Sequence, residues 1–164
     1  MTDPVPRLRE PCQRVSPRAR TLWLVEALVE SGFTLVVALV VGYVWAPFDL
    51  AWWMPALLAA ALAAYVAVVP AWKYRVHRWE VTDTAVYTQT GWWARERRIA
   101  PMSRIQTVDY VEGAIARLFG LASVTVTTAS AAGALEIAGL DQGRARQLVD
   151  ELTLKADAGE GDAT

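Results

Sequence analysis

Between Ser31 and Trp72 the chain carries a single charged residue, Asp49. A helix rises 1.5 Å per residue and needs about twenty apolar residues to cover a hydrocarbon core of about 30 Å. The uncharged run from Ser31 to Phe48 therefore predicts one membrane span, about Trp23 to Trp45, and the run from Leu50 to Trp72 predicts a second. Ala46-Pro47-Phe48-Asp49 leaves room only for a tight turn, so the two helices are expected to form an antiparallel hairpin. Tryptophan prefers the headgroup level, where an apolar ring meets a wet edge. By that rule Trp23 and Trp72 mark one interface, and Trp45, Trp52 and Trp53 the other.

Orientation follows from the basic residues near the ends of the spans. Arg7, Arg9, Arg14, Arg18 and Arg20 precede the first span, and Lys73, Arg75 and Arg78 follow the second, whereas the turn holds only Asp49. Both termini are expected in the cytoplasm, in a multi-pass protein of the cell membrane. A cleaved signal peptide fits poorly: the first apolar run exceeds the usual length, Pro47 follows its only small-residue end, and a second span comes at once. Glu26 and Glu30 share one face of the first helix. They either reach the headgroup layer or pair with Lys73 or Arg75, the alternative being a polar contact between neighbouring subunits. Ala60 with Ala64 and Ala63 with Ala67 allow another helix to approach closely, which suits a homo-oligomer or the first helix of the same chain.

Composition narrows the chemistry. The chain has 164 residues, is 54% hydrophobic, and balances to a net charge of −1, so nothing favours nucleic acid as a partner. Cys12 is the only thiol and His77 the only imidazole. An intramolecular disulfide is therefore excluded, and a Cys/His metal site or a Ser-His-Asp triad would have to be built on His77 alone. That residue lies in a basic stretch after the second span and is expected to be solvated or interfacial. Asp109 with Glu112 lacks a complementing group, and no Gly-rich phosphate loop of the Walker type is present. The expectation is no catalytic residue, no cofactor, no metal and no enzyme activity.

After Arg75 period-two alternation replaces the apolar runs. Strands are expected at Val76 to Thr82, Ala85 to Thr90, Arg95 to Ala100, Ile105 to Val111, Ser123 to Thr128 and Leu135 to Ala138. Gly113 to Gly120 suits a short helical turn. Ala145, Leu148, Val149 and Leu152 form one apolar stripe of a final helix, with Asp141 as a plausible cap. The expected partition is a basic cytoplasmic segment at 1–21, a transmembrane hairpin at 22–75, a soluble domain at 76–155 and a disordered tail at 156–164.

Arg78-Trp79-Glu80-Val81-Thr82 directly behind the hairpin, Gly91 before the third strand, the segment from Ile99 to Val108 containing Arg104-Ile105-Gln106, Arg117-Leu118-Phe119-Gly120-Leu121, and Ile137-Ala138-Gly139-Leu140 before the last helix follow one another in a distinctive order. In this the chain resembles bacterial pleckstrin-homology-domain membrane proteins of the YdbS-like type. The resemblance implies a small β-roll or barrel of pleckstrin-homology-like type with a C-terminal helix, placed behind the two transmembrane helices and facing the cytoplasm. It brings no catalytic residues with it.

The leading expectation is an anchored module that recruits or assembles protein partners at the membrane, the partner being an unidentified membrane or cytoplasmic protein. The alternative is recognition of anionic lipid headgroups. Arg95, Arg97 and Arg98 beside Trp92 and Trp93 would supply it, although Glu96 interrupts the cluster, and the chain after Trp72 has eleven basic against twelve acidic residues. The Trp pair can dip into the bilayer, meet a partner or fold over the end of the roll. Arg104 and Arg117 complete the candidate binding residues, either pairing with Asp109, Glu112 or a backbone carbonyl, or contacting a ligand.

Overall fold

The computed structural model describes residues 10–45, 51, 53–129 and 133–161. The expected turn at 46–49, Trp52, and the first and last few residues lie outside the described residues, as does the side chain of Trp45. Two long helices dominate: α1 (Arg18–Trp45) and α2 (Trp53–Val76). At 28 and 24 residues they extend about 42 and 36 Å. Both are long and apolar enough to cross a membrane, and only 11% of each apolar window is buried by the rest of the protein. Phe33, Tyr43, Val44 and Leu57 are more than half exposed. The core helix of a soluble protein would hide such residues, so these helices present apolar surface that the rest of the chain does not cover.

The β-domain consists of two antiparallel sheets. A two-residue strand β1 (Gln13–Arg14) opens the first, which continues through β2 (Arg78–Val81), β3 (Ala85–Thr90) and β4 (Glu96–Pro101) in the order β1-β2-β3-β4. A single 3-10 turn at Met102–Arg104 carries the chain across to the second sheet. That sheet is formed by β5 (Ile105–Val111), β6 (Leu121–Thr128) and β7 (Leu135–Asp141), with the short helix α3 (Ala114–Leu118) between β5 and β6. The last helix, α4 (Gln142–Gly161), seats Ala145, Leu148 and Leu152 against the sheets with no exposure, the stripe read from the sequence. It continues past residue 155, so the segment expected as a disordered tail is helical through Gly161.

The N-terminal segment is the main departure from the sequence reading. α1 begins at Arg18 rather than Trp23, because Ser16 and Pro17 start it. The Ala19 amide donates to the Ser16 carbonyl at 2.9 Å, and proline suits a first helical turn, where its missing N–H costs nothing. Val15, Ala19, Leu22, Trp23 and Ala27 then lie buried along one face, four of them inside the core of the β-domain. Trp23 is only 8% exposed, so it is a core residue and does not mark a membrane interface. The boundary expected between residues 21 and 22 falls within one continuous helix.

Gly139 makes this contact possible. Between Ala122 and Val124 the β6–β7 register slips, with Leu140 opposite Ala122 but Ile137 opposite Val124, so β7 carries one extra residue. Gly139 occupies that bulge at a φ of +73°, and a Cβ added there would lie 2.7 Å from the Ala19 Cβ. Its carbonyl accepts from the Ser16 amide at 2.9 Å. The Ser16 hydroxyl also donates to Asp141 Oδ1 at 3.0 Å, with the Arg18 guanidinium 3.6 Å from the same oxygen. The Asp141 carboxylate, expected from the sequence as a helix cap, holds α1 to the end of β7.

Candidate functional site

The tip of the β3–β4 hairpin lies at the side of the β-domain that meets α2. β3 pairs in register with both neighbours, Arg78 opposite Gln89 and Thr90 opposite Glu96, so the hairpin base sits level with the end of α2. Gly91 turns the chain at a φ of +116°, where a Cβ would fall 1.8 Å from the Ala94 carbonyl oxygen. A side chain there would break the turn. The turn throws Trp92 and Trp93 outward, 47% and 89% exposed, with ring centroids 6.0 Å apart. Trp92 in addition meets Tyr65 of α2 edge to face at 6.1 Å.

The structure separates the three arginines of this tip. Strand alternation sends Arg97 to one face of β4 and Arg98 to the other. Arg97 donates from Nε to Gln89 Oε1 at 2.9 Å and lies 2.6 Å from Glu10 Oε1. The buried Gln89 amide in turn donates to the Val76 carbonyl at 3.0 Å, which ties the hairpin to the end of α2. Arg98 donates to Glu96 Oε1 at 2.6 Å and to the Ala134 carbonyl at 3.0 Å. Arg95 is exposed and has no side-chain partner among the described residues. Glu96, read in the sequence as an interruption, is therefore the counter-ion of Arg98.

A polar cavity of about 300 Å³ opens at the seam between the sheets, lined by His77, Thr88, Thr90, Glu96, Arg98 and Glu136 among others. His77 is half-buried rather than solvated. Its ring lies 4.8 Å from that of Trp23, and Nδ1 stands 2.9 Å from the Lys73 carbonyl, which makes it the protonated nitrogen of the neutral ring. Burial pushes its pKa below the usual histidine value; the hydrogen bond to Lys73 opposes this, the Lys73 charge adds to it, and Glu136 opposes it weakly. Among the described residues no group of three or more His, Cys, Asp and Glu side chains is placed to hold a metal ion.

Arg104 and Arg117 stand away from the tip. Arg104 ends the 3-10 turn beyond Pro101, at the opposite end of β4, and Arg117 lies on α3. Both are exposed and have no side-chain partner among the described residues. Glu112, offered from the sequence as a partner for them, instead accepts from the Tyr110 hydroxyl and faces Arg146 of α4 at 3.6 Å. Asp109 accepts from Thr107 at 3.4 Å. The alanines of α2 also divide. Ala63 and Ala67 line an apolar groove of about 380 Å³ against Ser31 and Gly32 of α1, whereas Ala60 and Ala64 are exposed and outside it.

The β1 strand, the Trp23–His77 stack and the bulge at Gly139 carry no local sequence signal. Ser16-Pro17 was the one available signal for an earlier helix start.

Comparison with known proteins agrees with this architecture. The family model described as Bacterial PH domain matches residues 25–156. The "UPF0699 transmembrane protein YdbS" of Bacillus subtilis (strain 168) is 28% identical over 125 residues, covering 74% of this chain and 79% of that protein. No solved structure matches the chain.

Proposed function

This chain belongs to the bacterial PH domain family, and from that premise we propose that it is a membrane-anchored interaction module, whose β-domain recruits or assembles protein partners at the cytoplasmic face and performs no chemistry of its own. In this reading both α1 and α2 cross the cell membrane and both termini are cytoplasmic. One observation carries the proposal: no linker separates anchor from domain. α1 runs unbroken from the β-domain core into the apolar span, and β2 begins two residues after α2 ends. A domain mounted in this way presents a constant face to whatever approaches along the membrane. Away from the hairpin, Leu118 and Leu154 are 84% and 70% exposed, which makes them accessible positions from which to probe for a partner.

The test is site-specific photo-crosslinking in native membranes from Leu118 and Leu154. A discrete adduct of higher mass from either position supports recruitment. The absence of any adduct, with a probe at Phe33 still reacting with lipid, counts against it. Orientation is checked separately by reporters fused after Thr164 and before Arg7, both of which should read cytoplasmic.

Headgroup recognition is a second reading, favoured by Arg95 at the tip, which has no side-chain partner among the described residues. The ion pairs of Arg97 and Arg98 weigh against a three-arginine patch. Arg95→Glu is therefore the clean probe, since it leaves those pairs intact. Loss of anionic lipid co-purifying with the full chain would support headgroup binding, and unchanged retention would remove it.

A further inference from the structure

The tip of the β3–β4 hairpin is placed at the depth of the bilayer by its contact with α2. From Val76, where α2 ends, back to Tyr65 is eleven residues, or about 16 Å along the helix axis. Trp92 packs against Tyr65 with its ring 6.1 Å away. Trp72 locates that level on α2. Tyr65 lies seven residues beyond Trp72, about 10 Å further into the span. By this marker the tip has passed the cytoplasmic end of α2 and stands where headgroups give way to acyl chains.

The chemistry of the tip suits that position. Gly91-Trp92-Trp93-Ala94-Arg95 contains no acid and one cation, and the Arg95 side chain has no partner among the described residues. Trp93 is 89% exposed, while Trp79 and Trp23 of the same domain are 3% and 8% exposed. A ring left open to water on a soluble surface is unfavourable, but an indole at the boundary between headgroup and acyl chain is in its preferred environment. The ties from Arg97 to Gln89 and from Gln89 to Val76 hold the hairpin at this height against α2.

We propose that the β3–β4 tip is a third membrane contact, inserting Trp93 and the outer edge of Trp92 into the headgroup–acyl boundary beside α2. The soluble domain then meets the bilayer at three points, α1, α2 and the tip, and cannot swivel about the hairpin. This inference rests on the reading that α1 and α2 cross the membrane.

The experiment uses the full chain in phosphatidylcholine liposomes, with Cys12→Ser removing the only thiol. An environment-sensitive fluorophore is placed by Trp93→Cys, by Phe33→Cys at the start of the uncharged run, or by Leu118→Cys on the β-domain, and lipids brominated near the top of the acyl chain serve as quencher. The expected result is loss of emission at positions 93 and 33 and no loss at position 118. Retained emission at 93 with loss at 33 would overturn the insertion and leave Trp93 to a protein partner. Retained emission at both would overturn the membrane reading as well. Ala94→Cys leaves both indoles in place, carries the same expectation, and decides the matter should removal of Trp93 itself release the tip.

Discussion

Gly139→Ala tests the junction between anchor and domain directly. An L-residue held at the left-handed φ of Gly139, +73°, costs roughly 1–2 kcal/mol. The added methyl would sit 2.7 Å from the Ala19 Cβ and 3.5 Å from the Trp23 ring. Carbon atoms pack at about 3.5–4.0 Å, so α1 must shift by about 1 Å against β7. Overpacking of this kind costs about 1–3 kcal/mol. The expected total is about 2–5 kcal/mol, a large part of a domain stability of about 5–15 kcal/mol. Gly120→Ala is the control, because its φ is +67° but the nearest atom to its new Cβ is the flexible Arg18 Nη1 at 3.6 Å. It should show the strain alone. Thermal unfolding of the full chain in detergent, followed by the near-ultraviolet signal of Trp23 and Trp79, should place Gly139→Ala below Gly120→Ala by roughly 4–8 °C for each 1 kcal/mol of difference. Ala19→Gly should rescue Gly139→Ala in part, less about 1 kcal/mol for glycine in a helix. Equal losses for the two alanine variants, with no rescue, would refute the argument that α1 and β7 touch at a fixed distance.

Three further outcomes are expected. Leu148→Ala, at a site with no exposure, should cost about 2–5 kcal/mol in the same assay, and a loss under about 1 kcal/mol would mean that α4 is not seated in the core. A fragment of residues 76–164 lacks Val15, Ala19, Leu22 and Trp23 and should give poorly dispersed amide resonances, whereas a well-dispersed spectrum would show that the β-domain closes without them. The lowered pKa of His77 means that the unfolded chain binds the proton more tightly than the folded one. Stability should therefore hold above pH 6.5, the unfolded value, and fall as pH drops below it toward the folded pKa. Lys73 acts on the ring as a cation and Glu136 as an anion, and the paired Arg98 and Glu96 line the same cavity. His77→Gln should flatten that acid limb, and an unchanged limb would place its cause in the carboxylates.

The hairpin, the antiparallel strands and the last helix were legible because each carries a long or periodic pattern. The uncharged runs announced α1 and α2, and alternation located β3 and β5 with the boundaries the structure shows. What stayed hidden depends on contacts distant in sequence. β1 is two residues long and exists only because Gln13 and Arg14 meet Trp79 and Arg78. Val15, Ala19 and Leu22 form a helical stripe, but the arginines between them made the segment read as a solvated basic run. The candidate site divided along the same line. The exposed Trp92 and Trp93 follow from a glycine turn that is local, whereas the pairing of Arg97 with Glu10 joins residues 87 positions apart. No local pattern could assign that partner.

The core that α1 shares with the β-domain has a consequence for biogenesis. The strand and helix start that complete the domain are synthesised first, and the strands they complete emerge only after both hydrophobic segments have left the ribosome. With both helices crossing the membrane as proposed, the two parts meet only when both ends of the hairpin lie on the same side of the bilayer. A chain in which one segment failed to insert would hold Val15, Ala19 and Leu22 apart from Leu140 and Gly139, leaving an unfilled core open to proteases. On the proposed topology, closure of the domain is thus tied to insertion of both segments, because the core is complete only when Val15, Ala19, Leu22 and Trp23 join the strands made after them.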